Sequence, residues 1–534
     1  MKRRHRSIAK VESSAVGPAL DVLSAEDLRA LVRELLPWLD ERTQARFANA
    51  VIDRAARGGA GWTPERPGDT RVRDILAFAE AATRVGHADA SEVDGHLRQG
   101  TNAFLTKDYR AAYSIFRALL VPIGEGDIDL GQHEMVDEVL GVDVNACAVQ
   151  YAVAAYMTAV PVDRANAVRQ AIDEVQSIGC FVAPLREMEQ AAIEPLPDLD
   201  EFLLRWHALI EETAGAQRRG EWEVDADRWL REIVQRLEGA AGLASIARET
   251  KRAQDLGAWC RALVEARDWN AALAAFEEAA EIVADKSDAR GTFLDGAALA
   301  AQELRHGDLP TRLERTWREA PTFARLRRWL GGAGNRATVI ERAAEALDAC
   351  PQKAHRQRAF LHVLLDDFEA AARLLAAAAG LGWSGQEHPG PLLFPLFQAM
   401  LGGNGPALAG AIDPESIGGT NCDDIESMFA SPDEPQLATP GIDRILALAD
   451  AKRPPKPAAR TALLGAMRKA AEKRVAGVLA EKRRRYYGHA AKLVLVCAAL
   501  DSTAETADWV AGVRHAYRRF PAFQAELARH GNRS

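Results

Sequence analysis

Apolar residues recur every three to four positions through most of this chain and almost nowhere alternate with polar ones over strand lengths, the period of helices with one face turned inward. "SAEDLRALVRELLPWLDERTQARFANAVIDRAA" opens the pattern. Ser24 with Asp27 three residues on makes a relative of the capping box, Leu28, Leu31, Leu35 and Leu36 line one face, and Pro37 kinks or breaks the helix. Gly and Pro density makes "RGGAGWTPERPGDTR" (57–71) a loop. From 72 to 380 helix follows helix across breaks as short as "PLPDLD" (195–200) and "RHGDLP" (305–310), which favours antiparallel neighbours. The composition turns rich in Gly and Pro between 381 and 457, and helices resume near 458. The expected division is an N-terminal helical region and loop (1–71), a helical-repeat array (72–380), an irregular Gly/Pro-rich segment (381–457) and basic C-terminal helices (458–534).

One motif repeats. "DYRAAYSIF" (108–116) returns as "DWNAALAAF" (268–276) and "DFEAAARLL" (367–375). Each Asp is followed by an aromatic residue and, four positions on, by a small one: Ala112, Ala272 and Ala371. Asp508, Trp509 and Gly512 repeat this start a fourth time. An Asp at a helix start accepts a free backbone N–H and suits the positive end of the helix dipole. Tyr109, Ala112 and Phe116 then share a face, as do Trp269, Ala272 and Phe276, and Phe368, Ala371 and Leu375, with the alanine as a notch for the preceding helix. These residues resemble the tetratricopeptide repeat, a two-helix unit of about 34 residues. Gly100 with Ala112 and Phe116 fits that pattern, as do Ala272, Phe276 and Ala279, and Ala371 and Ala378; Leu119 stands where the pattern has Ala. The resemblance implies an all-α, helical-hairpin solenoid that presents an extended surface to a protein partner. Farther on, Tyr487, Ala490, Ala491, Trp509, Tyr517, Pro521 and Leu527 are similar to the helical tails that accompany bacterial SWIM zinc-finger proteins. The CxC and CxH pairs of the finger are missing here, so this likeness implies no zinc.

Composition narrows the class. With 48% hydrophobic and 27% charged residues over 534 positions, the chain is that of a folded protein rather than a disordered one. Its basic start reads as a solvated tail, because Lys10 and Glu12 interrupt any signal-like apolar run. No uncharged stretch nears the roughly 18–20 residues of a membrane helix, so a cytoplasmic protein without a membrane partner is expected. The net charge of −9 argues against a body that binds nucleic acid over its whole surface. Cysteines 147, 180, 260, 350, 422 and 497 stand far apart without ligand spacing and read as reduced, mostly buried thiols.

Candidate chemistry is sparse. In "GDIDLGQHEMVDEVL" (126–140), a calcium loop counted from Asp127 would put Gln132 where the turn needs Gly, and HEMVD has Asp137 in place of the second His of a zinc motif. We read it instead as a helix capped by Asp129 and Gln132, with His133 and Asp137 on one face, and expect no metal. "GGAGNRA" (331–337) lacks the preceding strand of a dinucleotide site and reads as a helix–helix loop. "GWSGQEHPG" places Ser384, Glu387 and His388 close together without a nucleophile elbow. No catalytic residue and no cofactor is expected, although an enzyme site in 381–457 stays open.

The sharper feature is 451–492, where thirteen Lys and Arg face two Glu, a charge of +11 on a chain of −9. It could dock on the acidic body of its own chain, hold an acidic protein, or hold nucleic acid with Tyr486 and Tyr487 stacking on bases. Arg483, Arg484 and Arg485 would carry such contacts. The resulting expectation is a non-catalytic protein-interaction scaffold, with a nucleic-acid-associated protein as the alternative.

Overall fold

Side-chain caps and prolines set the helix boundaries in the computed structural model, which describes residues 19–58, 61–131, 135–217, 222–402, 435–451, 456–501 and 503–531. The protein is all-α, 76% helical, with no strand among the described residues. Contacts divide the chain into two compact units, Met1–Ile246 and Ala247–Ser534.

The first unit begins with α1 (Ala25–Leu35), where Ser24 and Asp27 close a reciprocal capping box. Pro37 ends it in a 3-10 turn, Leu36–Trp38. The apolar face expected to pack is left uncovered: no residue of α1 is buried, and Leu35 is 53% exposed. Then follow α2 (Glu41–Arg57), α3 (Asp69–Val85), α4 (Ala90–Leu105), α5 (Tyr109–Glu125), the short α6 (Val136–Val139), α7 (Val144–Thr158), α8 (Arg164–Val175), α9 (Pro184–Ala191) and α10 (Leu199–Gln217). Sequence neighbours pack, α4 on α5, α5 on α7 and α7 on α8. At the centre, α7 is buried nearly all round from Cys147 to Tyr156, as an apolar helix must be. The capped helix expected from Asp129 is corrected here. The Asp129 carboxylate accepts the Gly131 N–H at 2.8 Å in a local turn, and helix begins only at Val136; Gln132 and His133 lie outside the described residues.

Helix α11 (Asp225–Thr250) is broken at Gly239, whose φ of 65° favours glycine, and the division between the units falls in its last turns. The second unit continues with α12 (Ala253–Glu265), α13 (Trp269–Ile282), α14 (Ser287–Glu303), α15 (Leu309–Glu319), α16 (Phe323–Gly331), α17 (Arg336–Ala349), α18 (His355–Leu364) and α19 (Phe368–Ala377). After these come α20 (Gly390–Leu401), α21 (Ile442–Ala449), the long α22 (Pro457–Ala480), α23 (Tyr487–Leu500), α24 (Ala504–Ala516) and α25 (Pro521–Gly531). Sequential packing holds from α12 to α16, but α22 returns to lie on α19 and carries α23, which carries α25. One hydrophobic cluster runs from Ala298 through Phe360, Phe394 and Leu463 to Leu527, so the described residues on both sides of 403–434 share a core.

The repeated motif is a repeated turn. Lys107, Arg267 and Asp366 each adopt a left-handed conformation, φ 63°, 54° and 60°. The following Asp108, Asp268 and Asp367 have nearly the same φ/ψ, −84/70°, −82/75° and −86/65°. Each Asp N–H donates to the carbonyl five residues back at 2.9, 3.0 and 2.9 Å, closing the preceding helix in a Schellman motif. Each carboxylate accepts the N–H three residues on at 3.2, 3.1 and 3.1 Å, opening the next helix. Ala112, Ala272 and Ala371 are fully buried, and a Cβ on Gly100 would lie 2.8 Å from the Phe116 ring, so these helices meet at small residues. Phe116, Phe368 and Leu375 are buried too, whereas Tyr109, Trp269 and Phe276 are half-buried. The fourth occurrence is different in kind: Asp508 lies inside α24, which Thr503 caps, and Gly512 faces open space.

Candidate functional site

Helix carbonyls, more than carboxylates, hold the basic run of the second unit in place. Arg460 donates to Leu401 O (3.0 Å) and Leu500 O (3.2 Å), at the ends of α20 and α23. Lys473 donates to the carbonyls of Ala376, Ala377 and Ala378 at 2.8, 3.0 and 3.1 Å, closing α19. Arg474 reaches Gly380 O at 3.2 Å. The last carbonyls of a helix lack internal partners and carry the negative end of its dipole, so a cation placed there satisfies both. Arg468 instead pairs with Asp501 at 2.6 Å and Glu505 at 3.7 Å.

Beyond α22 the chain makes the hairpin turn once more, with different chemistry. Lys482 has φ 52°, Arg483 has φ/ψ −78/72°, and the Arg483 N–H donates to Val478 O at 3.0 Å. Arginine stands where the other turns have Asp, and a 3-10 turn, Arg484–Tyr486, follows, its Tyr486 N–H donating to the Arg483 carbonyl at 3.0 Å. Lys482, Arg483, Arg484 and Arg485 are exposed, and among the described residues no carboxylate lies within 4.0 Å of their charges. Half-buried Tyr486 is sandwiched between the guanidinium groups of Arg474 (5.1 Å) and Arg485 (4.7 Å). Tyr487 corrects an expectation: it is 5% exposed, edge-on to Phe523 at 6.3 Å, and its ring is not available for stacking with a ligand.

Under this turn lies the segment 382–390, the other stretch that the sequence marks for chemistry. Arg356 ties it down, donating to His388 O (3.1 Å) and Gly385 O (3.0 Å). Gln357 donates to the Glu387 carboxylate (3.1 Å) and accepts the indole N–H of Trp317 (2.9 Å). His388 donates from Nε2 to Ala379 O (2.9 Å) and accepts the Gly390 N–H at Nδ1 (3.0 Å). Both nitrogens are committed to the backbone, and burial holds the imidazole below its usual pKa, so His388 has no nitrogen left to serve Ser384 as a base. Ser384, Glu387 and His388 do not form a triad.

The rings beside this segment form a buried cluster. Trp383, 2% exposed, lies 5.2 Å from His388, 5.5 Å from His489 and 5.6 Å from the Arg474 guanidinium. Burial, then Arg474 and Lys492, push the His489 imidazole down to about 3. Burial likewise pushes Arg474 down to about 10. Sequence reasoning missed Trp383, Arg474 and His489, because their meeting depends on α22 and α23 folding back over 382–390.

Elsewhere the structure holds ordinary features at the marked positions. Gly331 closes α16 and Asn335 caps α17 through the Thr338 N–H at 3.0 Å, so "GGAGNRA" is a helix–helix loop. Cys147, Cys260, Cys350 and Cys497 are buried, Cys180 is exposed, and Cys422 lies outside the described residues. Among the described residues no His, Cys, Asp and Glu cluster could hold a metal, and no helix is long and apolar enough to cross a membrane. No protein-family model matches the chain, and no curated protein matches it in sequence.

Proposed function

We propose that the protein is a non-catalytic helical scaffold, its hairpins stacked in the manner of a tetratricopeptide-like solenoid, which docks an acidic segment of a partner protein on the turn Lys482–Arg485. One observation carries this reading: four consecutive cations are exposed on a Schellman-closed turn without a carboxylate partner among the described residues. Cations used for structure in the same region are engaged by helix ends, as Lys473 and Arg460 are. A row of exposed arginines without carboxylate partners suits bidentate capture of carboxylates. The supporting frame is the shared turn of the three hairpins, which sets helix pairs side by side.

The test is binding of a labelled Glu-rich peptide, duplex DNA and single-stranded RNA to the parent and to Arg483→Glu/Arg484→Glu/Arg485→Glu. Peptide binding that weakens with salt and disappears in the variant is the expected result. Binding of DNA or RNA in preference to the peptide, with a log–log salt slope of about −2 to −3, would make this a nucleic-acid-associated protein instead.

A further inference from the structure

The arginine turn covers a second, buried cluster of donors. Arg474 is 5% exposed, yet among the described residues no carboxylate lies within 4.0 Å of its charge. Burial of an ion without a counter-charge is strongly unfavourable. Around it, Trp383 Nε1, Arg474 Nε and both ring nitrogens of His489 are buried without a hydrogen-bond partner among the described residues. Buried polar atoms are normally bonded, and four orphans on three touching side chains are a concentrated exception. An indole N–H and a guanidinium can only donate, so the missing partner is an acceptor. Arg483, near Arg474, and Lys492, near His489, are also cations, and the nearest carboxylate to the first turn of α23 is that of Glu526, beside Gly488. His489 is the third residue of α23, whose N-cap, Tyr486, makes no side-chain cap, so the positive end of that helix adds to the field.

We propose that Trp383, Arg474, His489 and the N-terminus of α23 form a binding site for a single oxyanion of phosphate size. A tetrahedral oxyanion supplies the negative charge that Arg474 lacks and acceptor oxygens for the Trp383 indole N–H, the Arg474 Nε–H and the single N–H of a neutral His489. The Tyr486 ring packs against both Arg474 of this site and Arg485 of the exposed turn. The site deepens the partner-binding reading and rests on it only for the source of the anion, which is either free phosphate or a phosphoryl group on the acidic partner.

The experiment measures the thermal midpoint of the full chain against inorganic phosphate, with sodium chloride at matched ionic strength as reference. A saturable rise specific to phosphate is expected. Trp383→Phe, which keeps the ring and removes the N–H, should weaken the apparent affinity about tenfold. Arg484→Glu, on the exposed turn, should retain the saturable rise. A phosphoserine peptide that competes with phosphate identifies the partner as the source of the anion; one that does not identifies the free ion. The proposal is overturned if phosphate acts no differently from chloride, or if Trp383→Phe responds as the parent does. It is also overturned if Arg484→Glu abolishes the effect, which would place the anion on the exposed turn and leave the partner-binding reading standing.

Discussion

Two kinds of turn share one backbone in this molecule. At Asp108, Asp268 and Asp367 a left-handed residue closes one helix and an aspartate opens the next, so the turn satisfies itself. At Arg483 the dihedral angles and the closing hydrogen bond are alike, but the residue is a cation, and a 3-10 turn, Arg484–Tyr486, separates it from the next α-helix. Aspartate turns are complete within the fold; the arginine turn leaves charge outside and an uncapped helix end above buried, unbonded nitrogens. Backbone geometry alone does not separate the two turns; the side chain at one position does.

The comparison can be strained first where packing is tightest. Ala272→Leu, at a fully buried site between helices, should destabilise the protein by about 1–3 kcal/mol through overpacking, read as a lower midpoint in urea or heat. An unchanged midpoint would mean that the hairpins do not meet at these alanines.

Next in size is a pH effect beneath the arginine turn. His489 is held well below an unfolded histidine, near 6.5, so folding excludes a proton that the unfolded chain binds. Its contribution is full above pH 6.5 and is lost as pH falls toward 3, roughly 1.5–2 kcal/mol between pH 6.5 and 5. Arg474 and Lys492 face His489, and both stay charged over this range. His489→Phe should flatten that segment of the stability–pH curve, and an unaltered slope would remove the imidazole from the account.

Caps come third. Asp268→Ala should cost about 1 kcal/mol by stripping the Ala271 N–H of its acceptor. Smallest of all, Arg484→Ala should leave stability within about 0.5 kcal/mol of the parent, because an exposed, unpaired cation contributes little to folding.

The pattern that made helices legible was local. Ser24 and Asp27, Pro37, Asn335 and the three motif aspartates act within three or four residues of themselves, so each helix end they set could be read before any tertiary structure was known. What depended on distant contacts was not legible. The exposed face of α1 has the same periodicity as a buried one, since periodicity reports amphipathicity and not the presence of a neighbour. Asp508 matched the motif by residue type but lies within a helix already capped by Thr503. The basic run was visible as charge, yet the split between Lys473, bound to the end of α19, and Arg484, bound to no carboxylate among the described residues, depends on where α22 docks. Tyr486 and Tyr487 are adjacent and alike in sequence, and only the packing of Phe523 buries the second.

The central claim is that the arginine turn, unlike the aspartate turns, faces a partner. A photo-crosslinking residue at position 484, compared in living cells with the same residue at position 267 of an aspartate turn, tests it most directly. The account predicts a discrete protein adduct at 484, mapped to an acidic segment and absent at 267. Equal labelling at both turns, or an adduct to nucleic acid at 484, would contradict it.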